Sequence, residues 1–274
     1  PGGVTTTAQP GTHWLSAHDD KSQFISQVKG VSSMPSLLSG NALKIIAAIA
    51  MFLDHMGMLL FPGNMVLRII GRLAFPIFAF QLAEGYLHTK NYEAYRKRLI
   101  LFALISEIPF NLMLGSRIFY PIHQNVLWSF LISIGLIHWN ERAKASKKIW
   151  KRLTVAVMTV VLGYLVGLLT MVDFYHAGVL TVLAFYFFRG RKWYNYLGQF
   201  VTLWYINMEM LGGYSYMIDI MGKTYFIARQ SFAMLALIPI WLYSGRKGHN
   251  SKAFQYFCYW FYPVHLLVLG LLKF

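Results

Sequence analysis

The segment Leu43–Gly57, LKIIAAIAMFLDHMG, is apolar over a length that, with its flanks, crosses a bilayer, yet it carries Lys44, Asp54 and His55. Hydrocarbon supplies no water to satisfy backbone groups, so a chain built from such segments is confined to helices that bond internally. A charge placed there is costly, and an ionisable side chain in such a helix marks a functional site by default. Lys44 and His55 are eleven residues apart. At 100° and 1.5 Å per residue they share one helix face, about 16 Å apart along the axis.

The rest of the chain has the same character. Hydrophobic residues make up 57% of 274, and mean hydropathy is +0.47; a soluble domain sits near about 45–50% apolar. The formal charge of +15 does not indicate nucleic acid, because Lys and Arg fall in short runs between apolar stretches of membrane-spanning length, as cytoplasmic loops do. Hydropathy predicts nine crossings: Asn41–Pro62, Leu67–His88, Arg98–Gly115, His123–Trp139, Leu153–Val172, Tyr175–Phe188, Trp193–Leu211, Arg229–Ser244 and Gln255–Leu272. Pro62-Gly63-Asn64 supplies the first turn.

Sixteen of the 25 basic residues occupy alternate connections: Lys90–Arg98, Arg142–Arg152, Arg189–Lys192 and Arg246–Lys252. The opposite loops hold only Arg117, Lys223 and Arg229. That bias puts the N-terminus inside and the C-terminus outside. The expected fold is thus all-α, a polytopic membrane protein of nine helices around a polar cavity. Residues 1–39 are polar and Gly-, Thr- and Ser-rich, with no cleavable secretory signal. They begin with Pro rather than Met, as in a processed or truncated chain, and form a tail, disordered or foreign to the domain at 40–274. Cys258 is the only cysteine, which leaves no internal disulfide and no Cys-based metal site.

This topology assigns depths. Lys44 lies at the inner end of the first helix, with Asp54 and His55 in its outer half. Arg68 and Arg72, one turn apart, lie in the outer half of the second helix, and Glu84 in its inner half. Glu107 and Asn111 lie in the outer half of the third, beside Pro109. His123 opens the fourth, Asp173 and His176 sit at the joint of the fifth and sixth, and His265 lies in the outer half of the ninth. Arg72 with Glu107 is a candidate interhelical ion pair, and His265, following Pro263, can bond a freed carbonyl. Asp54 and His55 point about 100° apart and need different partners. An imidazole deep in a polar cavity suits general acid–base work, with Asp54 or Glu107 as its support. No serine elbow, phosphate loop, zinc signature or dinucleotide fingerprint is present.

Three stretches, LKIIAAIAMFLDHMG, RIIGRLAFPIFAFQLAEGY and YRKRLILFALISEIPFN, in this order and spacing, resemble the TraX family, most closely from Leu43 to Asn111. Its best-known member is the inner-membrane protein that N-acetylates F pilin. The family is distantly similar to membrane acyltransferase family three, which has an Arg, ten residues and then a His on its first helix. Lys44 takes the Arg place here, keeping the charge without the bidentate fork, and His55 takes the His place. The resemblance implies an acetyltransferase that uses cytoplasmic acetyl-CoA and an acceptor near the outer side: the amine of a pilin or other peptide, or a hydroxyl. His55 would be the base. Asp54 or Glu107 would support it, and Arg72 and Asn111 would stabilise the oxyanion. Lys44, Arg68, Glu84, His123 and His265 would line the path of the co-substrate. The partners are then the bilayer and the acceptor, with no nucleic acid and no metal. A proton-coupled transporter and a non-enzymatic assembly factor are the competing classes; no inverted repeat or pair of matching broken helices supports transport.

Overall fold

The computed structural model describes residues 37–213, 215–248 and 251–273. The polar tail expected over residues 1–39 lies, up to Ser36, outside these described residues. Helix α1 (Gly40–Leu59) begins where Ser39 Oγ accepts from the Ala42 amide at 3.2 Å. Its 20 residues span about 30 Å at 1.5 Å each. Phe61 O accepts from Asn64 N at 2.9 Å in the Pro62-Gly63 turn that follows. The second span is two helices rather than one, α2 (Met65–Gly71) and α3 (Ala74–His88), broken at Arg72–Leu73. Helix α4 (Tyr92–Gly115) contains Pro109, and α5 (Val126–Lys144) starts on Asn125. The starts of α2, α4 and α5 are capped by Asn64, Asn91 and Asn125, each accepting from a backbone amide two or three residues on, which satisfies donors that a helix start leaves free.

Helix α6 (Ile149–Leu169) leads to α7 (Tyr175–Phe187) and then α8 (Trp193–Tyr205), which widens into a π turn at Ile206–Met210. The eighth predicted crossing is not a continuous α-helix. Arg229–Ala236 forms 3-10 turns, and only Leu237–Trp241, α9, is α-helical. The connection before it holds a hairpin that hydropathy does not mark, β1 (Ser215–Ile220) antiparallel to β2 (Lys223–Ala228) with Met217 opposite Phe226. Helix α10 (Lys252–Leu271) closes the fold, capped by Ser251 and with Pro263 inside it.

Among the described residues, four helical stretches are long and apolar enough to cross a membrane: Gly40–Leu59, Met65–His88, Tyr92–Gly115 and Ile149–Leu169. The expectation of nine crossings is met by that measure only in these four. Helix α5 ends in the polar run Asn140–Lys144, and α7 has 13 residues. The exposed surface is oily: Trp150, Val157 and Leu169 of α6 are 79, 62 and 77% exposed. An apolar belt of that extent is covered by lipid in a membrane protein.

Helix α7 is apolar all round and almost wholly buried from Ala177 to Tyr186, as a helix at the centre of a bundle must be. Its side chains, with those of α3 and α5, form the main core. Helix α10 lies along α4, where Phe102 meets Tyr259 and Trp260 with ring centroids 5.3 and 5.6 Å apart. The start of α1 is tied down by Gly40 N donating to Arg246 O at 2.8 Å and Asn41 N to Lys247 O at 3.0 Å. These ties fix where α1, and so Lys44 and His55, stand in the bundle.

Candidate functional site

A cavity of about 390 Å³ has both Lys44 and His55 in its wall. Gln81, Tyr95 and Cys258 join Lys44 in lining it, and Asp54, Arg72, Gln230 and Phe174 join His55. Most of the remaining lining is aromatic or aliphatic, a setting in which a few polar groups are electrostatically strong.

Asp54 is held by two arginines. Arg72 Nη2 donates to both carboxylate oxygens at 2.7 Å, and Arg68 Nη1 lies 2.9 Å from Oδ1 while donating to the Asp54 carbonyl at 3.0 Å. The other Arg72 branch donates to Gln230 Oε1 at 3.0 Å. The spacing of Arg68 and Arg72 delivers both guanidiniums to one face. Gly71, the last residue of α2, lets Asp54 approach: a Cβ there would stand 2.3 Å from Asp54 Cβ. The break between α2 and α3 therefore sits where the carboxylate of α1 docks.

His55 turns away from Asp54, toward α10. Its Nδ1 lies 2.9 Å from His265 Nε2, and the two rings are nearly parallel with centroids 5.1 Å apart. His265 Nδ1 donates to the Phe261 carbonyl at 2.7 Å. Phe52, Phe261 and Tyr262 surround the His265 ring. Among the described residues no carboxylate stands within ion-pair distance of either imidazole.

Several expected pairings are replaced by others. Asp54 does not contact the His55 ring, because both its oxygens are used by arginines; the side chain within hydrogen-bond distance of His55 is His265. Arg72 does not pair with Glu107. Glu107 Oε2 instead accepts from Trp128 Nε1 at 3.0 Å and from Asn125 Nδ2, so Glu107 holds the start of α5. Asn111 donates to the Ile118 carbonyl at 3.3 Å and steadies the turn after α4. Neither residue lines the cavity. Glu84 pairs with Arg189 at 2.5 Å and lines a separate small cavity with Arg191 and Tyr243. Arg68 stands behind Asp54 rather than in the wall.

His123, in the turn before α5, lies 3.5 Å from Asp173 Oδ1, and Asp173 does line the cavity. The hydrogen bond to Asp173 and that carboxylate's charge raise the His123 pKa against its burial. The Asp173 segment is pinned by Gln124, whose N donates to Met171 O at 3.0 Å while its O accepts from Asp173 N at 2.8 Å. Here Met171, Phe174 and Tyr175 adopt positive φ of 51, 60 and 47°. Non-glycine residues held in that region cost energy and cluster where surrounding structure fixes a site. The Phe174 ring stacks on Phe75 at 4.3 Å and closes part of the cavity. Gln230 and the Met171–Tyr175 backbone carry no sequence signal of their own. The proximity of His55 and His265 is consistent with their shared depth in the outer half.

Four helices apolar enough to span a membrane and a cavity lined by His55 and the clamped Asp54, with His265 and His123 outside its wall, are those of a membrane-type helical protein with a buried polar site. The chain belongs to the TraX protein family, which residues 39–273 match. A 69-residue stretch, 24% of the chain, is 41% identical to a probable fimbrial assembly protein FimC, serogroup H1, of Dichelobacter nodosus, covering 28% of it. A 66-residue stretch, also 24% of the chain, is 38% identical to an uncharacterized protein of Rickettsia prowazekii (strain Madrid E), covering 25% of that one. The chain thus aligns with about a quarter of the length of each of these curated relatives. No solved structure matches it.

Proposed function

We propose that the protein is an acetyltransferase of the bacterial inner membrane, with its N-terminus inside, that moves an acetyl group from cytoplasmic acetyl-CoA to an acceptor near the outer side. The acceptor is the amine of a pilin or other peptide, or a hydroxyl. The observation that carries this reading is the single cavity with Lys44 and His55 in its wall. Lys44 offers a cation for phosphate or polar groups at the cytoplasmic end, and His55 offers a base about 16 Å along the helix. The fimbrial assembly name of the Dichelobacter relative and the TraX family membership fit a pilin-type acceptor.

In the step we envisage, His55 takes a proton from the acceptor as its nitrogen or oxygen attacks the thioester carbonyl carbon. The carbon–sulfur bond breaks, the sulfur leaves as the CoA thiolate, and the imidazolium returns the proton to it. Arg72 and Gln230, both in the wall, supply N–H donors near the developing oxyanion. The Asp54 carboxylate keeps Arg72 in place and balances its charge.

The test is acetyl transfer by purified protein in liposomes, read as release of CoA thiol and labelled acetate on an amine-bearing peptide. His55→Ala abolishes transfer, and Asp54→Asn lowers it by about 10²-fold, as loss of an element holding the donors in register would. Transfer by His55→Ala at the wild-type rate removes the assignment. Wild-type protein that binds no acetyl-CoA places the chain with transporters or assembly factors instead.

A further inference from the structure

We infer that His265 is a positioning residue: it holds His55 as the tautomer with hydrogen on Nδ1 and a lone pair on Nε2, so that Nε2 is the basic atom. The importance of this atom for transfer rests on the function proposed above; the tautomer itself does not.

The reasoning starts from an acceptor that cannot be anything else. A backbone carbonyl only accepts, so the 2.7 Å contact between His265 Nδ1 and Phe261 O requires the hydrogen on His265 Nδ1. A neutral His265 then has a bare Nε2. That Nε2 stands 2.9 Å from His55 Nδ1, and two lone pairs do not bond, so the hydrogen between them belongs to His55 Nδ1. Neutral His55 is left with its lone pair on Nε2, and its ring lines the cavity.

The alternative, a doubly protonated His265, would set a cation among Phe52, Phe261 and Tyr262. No carboxylate stands within ion-pair distance of it among the described residues. A buried charge without a partner is strongly disfavoured. His265 itself is 5% exposed, so water does not relieve it. The chain Phe261 carbonyl, His265, His55 therefore does for this base what a carboxylate behind a catalytic histidine does elsewhere, without adding a charge. It also leaves Asp54 free for the arginines, which explains how adjacent residues of one helix serve different partners.

The experiment uses the full chain in lipid with ¹⁵N-labelled histidine, with the His55 signals assigned by their loss in His55→Gln. Wild-type protein at neutral pH shows His55 hydrogen on Nδ1. In His265→Phe, which keeps a ring but no acceptor, His55 shifts to a mixture of tautomers. In His265→Gln, whose amide oxygen faces His55 and whose NH₂ faces the carbonyl, the Nδ1–H form returns. In the transfer assay His265→Phe lowers kcat by about 10²-fold, within the range of a general base's contribution. KM for acetyl-CoA stays unchanged, and His265→Gln recovers most of the loss. The inference is overturned by a wild-type His55 carrying its hydrogen on Nε2, or by an unchanged tautomer in His265→Phe. If His265→Phe does not fold, wild type and His265→Gln still decide the matter. Transfer activity in His55→Gln, together with an Nδ1–H His55 in the wild-type protein, would refute the catalytic reading and leave this one standing.

Discussion

Gly71→Ala sets helix propensity against tertiary structure. Gly71 ends α2 on backbone without a positive φ. Propensity alone would therefore make alanine stabilising by up to about 1 kcal/mol. Against that, the new methyl group would stand 2.3 Å from Asp54 Cβ and Oδ1 and 2.5 Å from Cγ. Asp54 Cβ is bonded to the α1 backbone, so swinging the carboxylate aside does not clear that contact. Helices α1 and α2 must separate, which displaces Asp54. Overpacking of this kind costs about 1–3 kcal/mol. Displacing Asp54 also strands Arg68 and Arg72, and breaking a buried ion pair costs about 3–5 kcal/mol. The side chains involved are only 15–22% exposed, so the lower end of that range applies, and the net is roughly 3–5 kcal/mol destabilising. At about 2–4 °C per kcal/mol for a chain of this size, Tm in detergent should fall by roughly 10 °C. Gly135→Ala in α5 is the control, since nothing lies within 4 Å of a Cβ there; it should hold or raise Tm. A Gly71→Ala protein as heat-stable as wild type, or a Gly135→Ala protein that loses as much, would refute the close approach of α1 and α2 at this point.

The ion pair at the Asp173 end is pH-dependent with a definite sign. His123 has its pKa raised by Asp173, so the pair's contribution is fully present below the ordinary histidine value and fades as pH rises through the raised one. The Tm deficit of His123→Gln should accordingly be greatest at mildly acidic pH and shrink toward alkaline pH; a deficit independent of pH would show that the pair carries no charge. Lys44→Gln should raise KM for acetyl-CoA by about 10-fold or more, the worth of one charge-assisted hydrogen bond, with kcat little changed. A pure kcat effect would place Lys44 away from the co-substrate.

The long apolar helices were legible because hydropathy acts locally. Ser39, Asn64 and Ser251 stand at helix starts that the apolar pattern locates within a few residues, whereas α4 begins after Asn91, six residues before the predicted Arg98. Part of what the pattern missed depends on contacts between distant segments. The Arg229–Ser244 stretch is apolar enough to read as a span, but its backbone takes 3-10 turns where Gln230 meets Arg72. The hairpin at 215–228 places exposed Met217, Met221 and Phe226 in a segment where no helical period is needed. The second span looked continuous because hydropathy does not register Pro76, which has no N–H to bond the Arg72 carbonyl and crowds it where α2 gives way to α3.

The same distinction explains which site residues the sequence could pair. Depth along a helix follows from counting, and it correctly brings His55, Asp54, Arg72 and His265 to one level. Azimuth between helices does not follow from counting, so Glu107 looked as suitable a partner for Arg72 as Asp54, and Asp54 as suitable a support for His55 as His265. The decisive information was already in the adjacency of Asp54 and His55. Side chains 100° apart on a helix point toward different neighbours, and here Asp54 faces α2 while His55 faces α10. Two arginines one turn apart on α2 match the carboxylate in charge and reach. The imidazole was then left for a neutral partner on the remaining neighbour, and α10 offers His265 at that height. The division is visible in the contacts: the charged Asp54 ties α1 to α2 through two arginines, and the neighbouring imidazole ties α1 to α10 through His265.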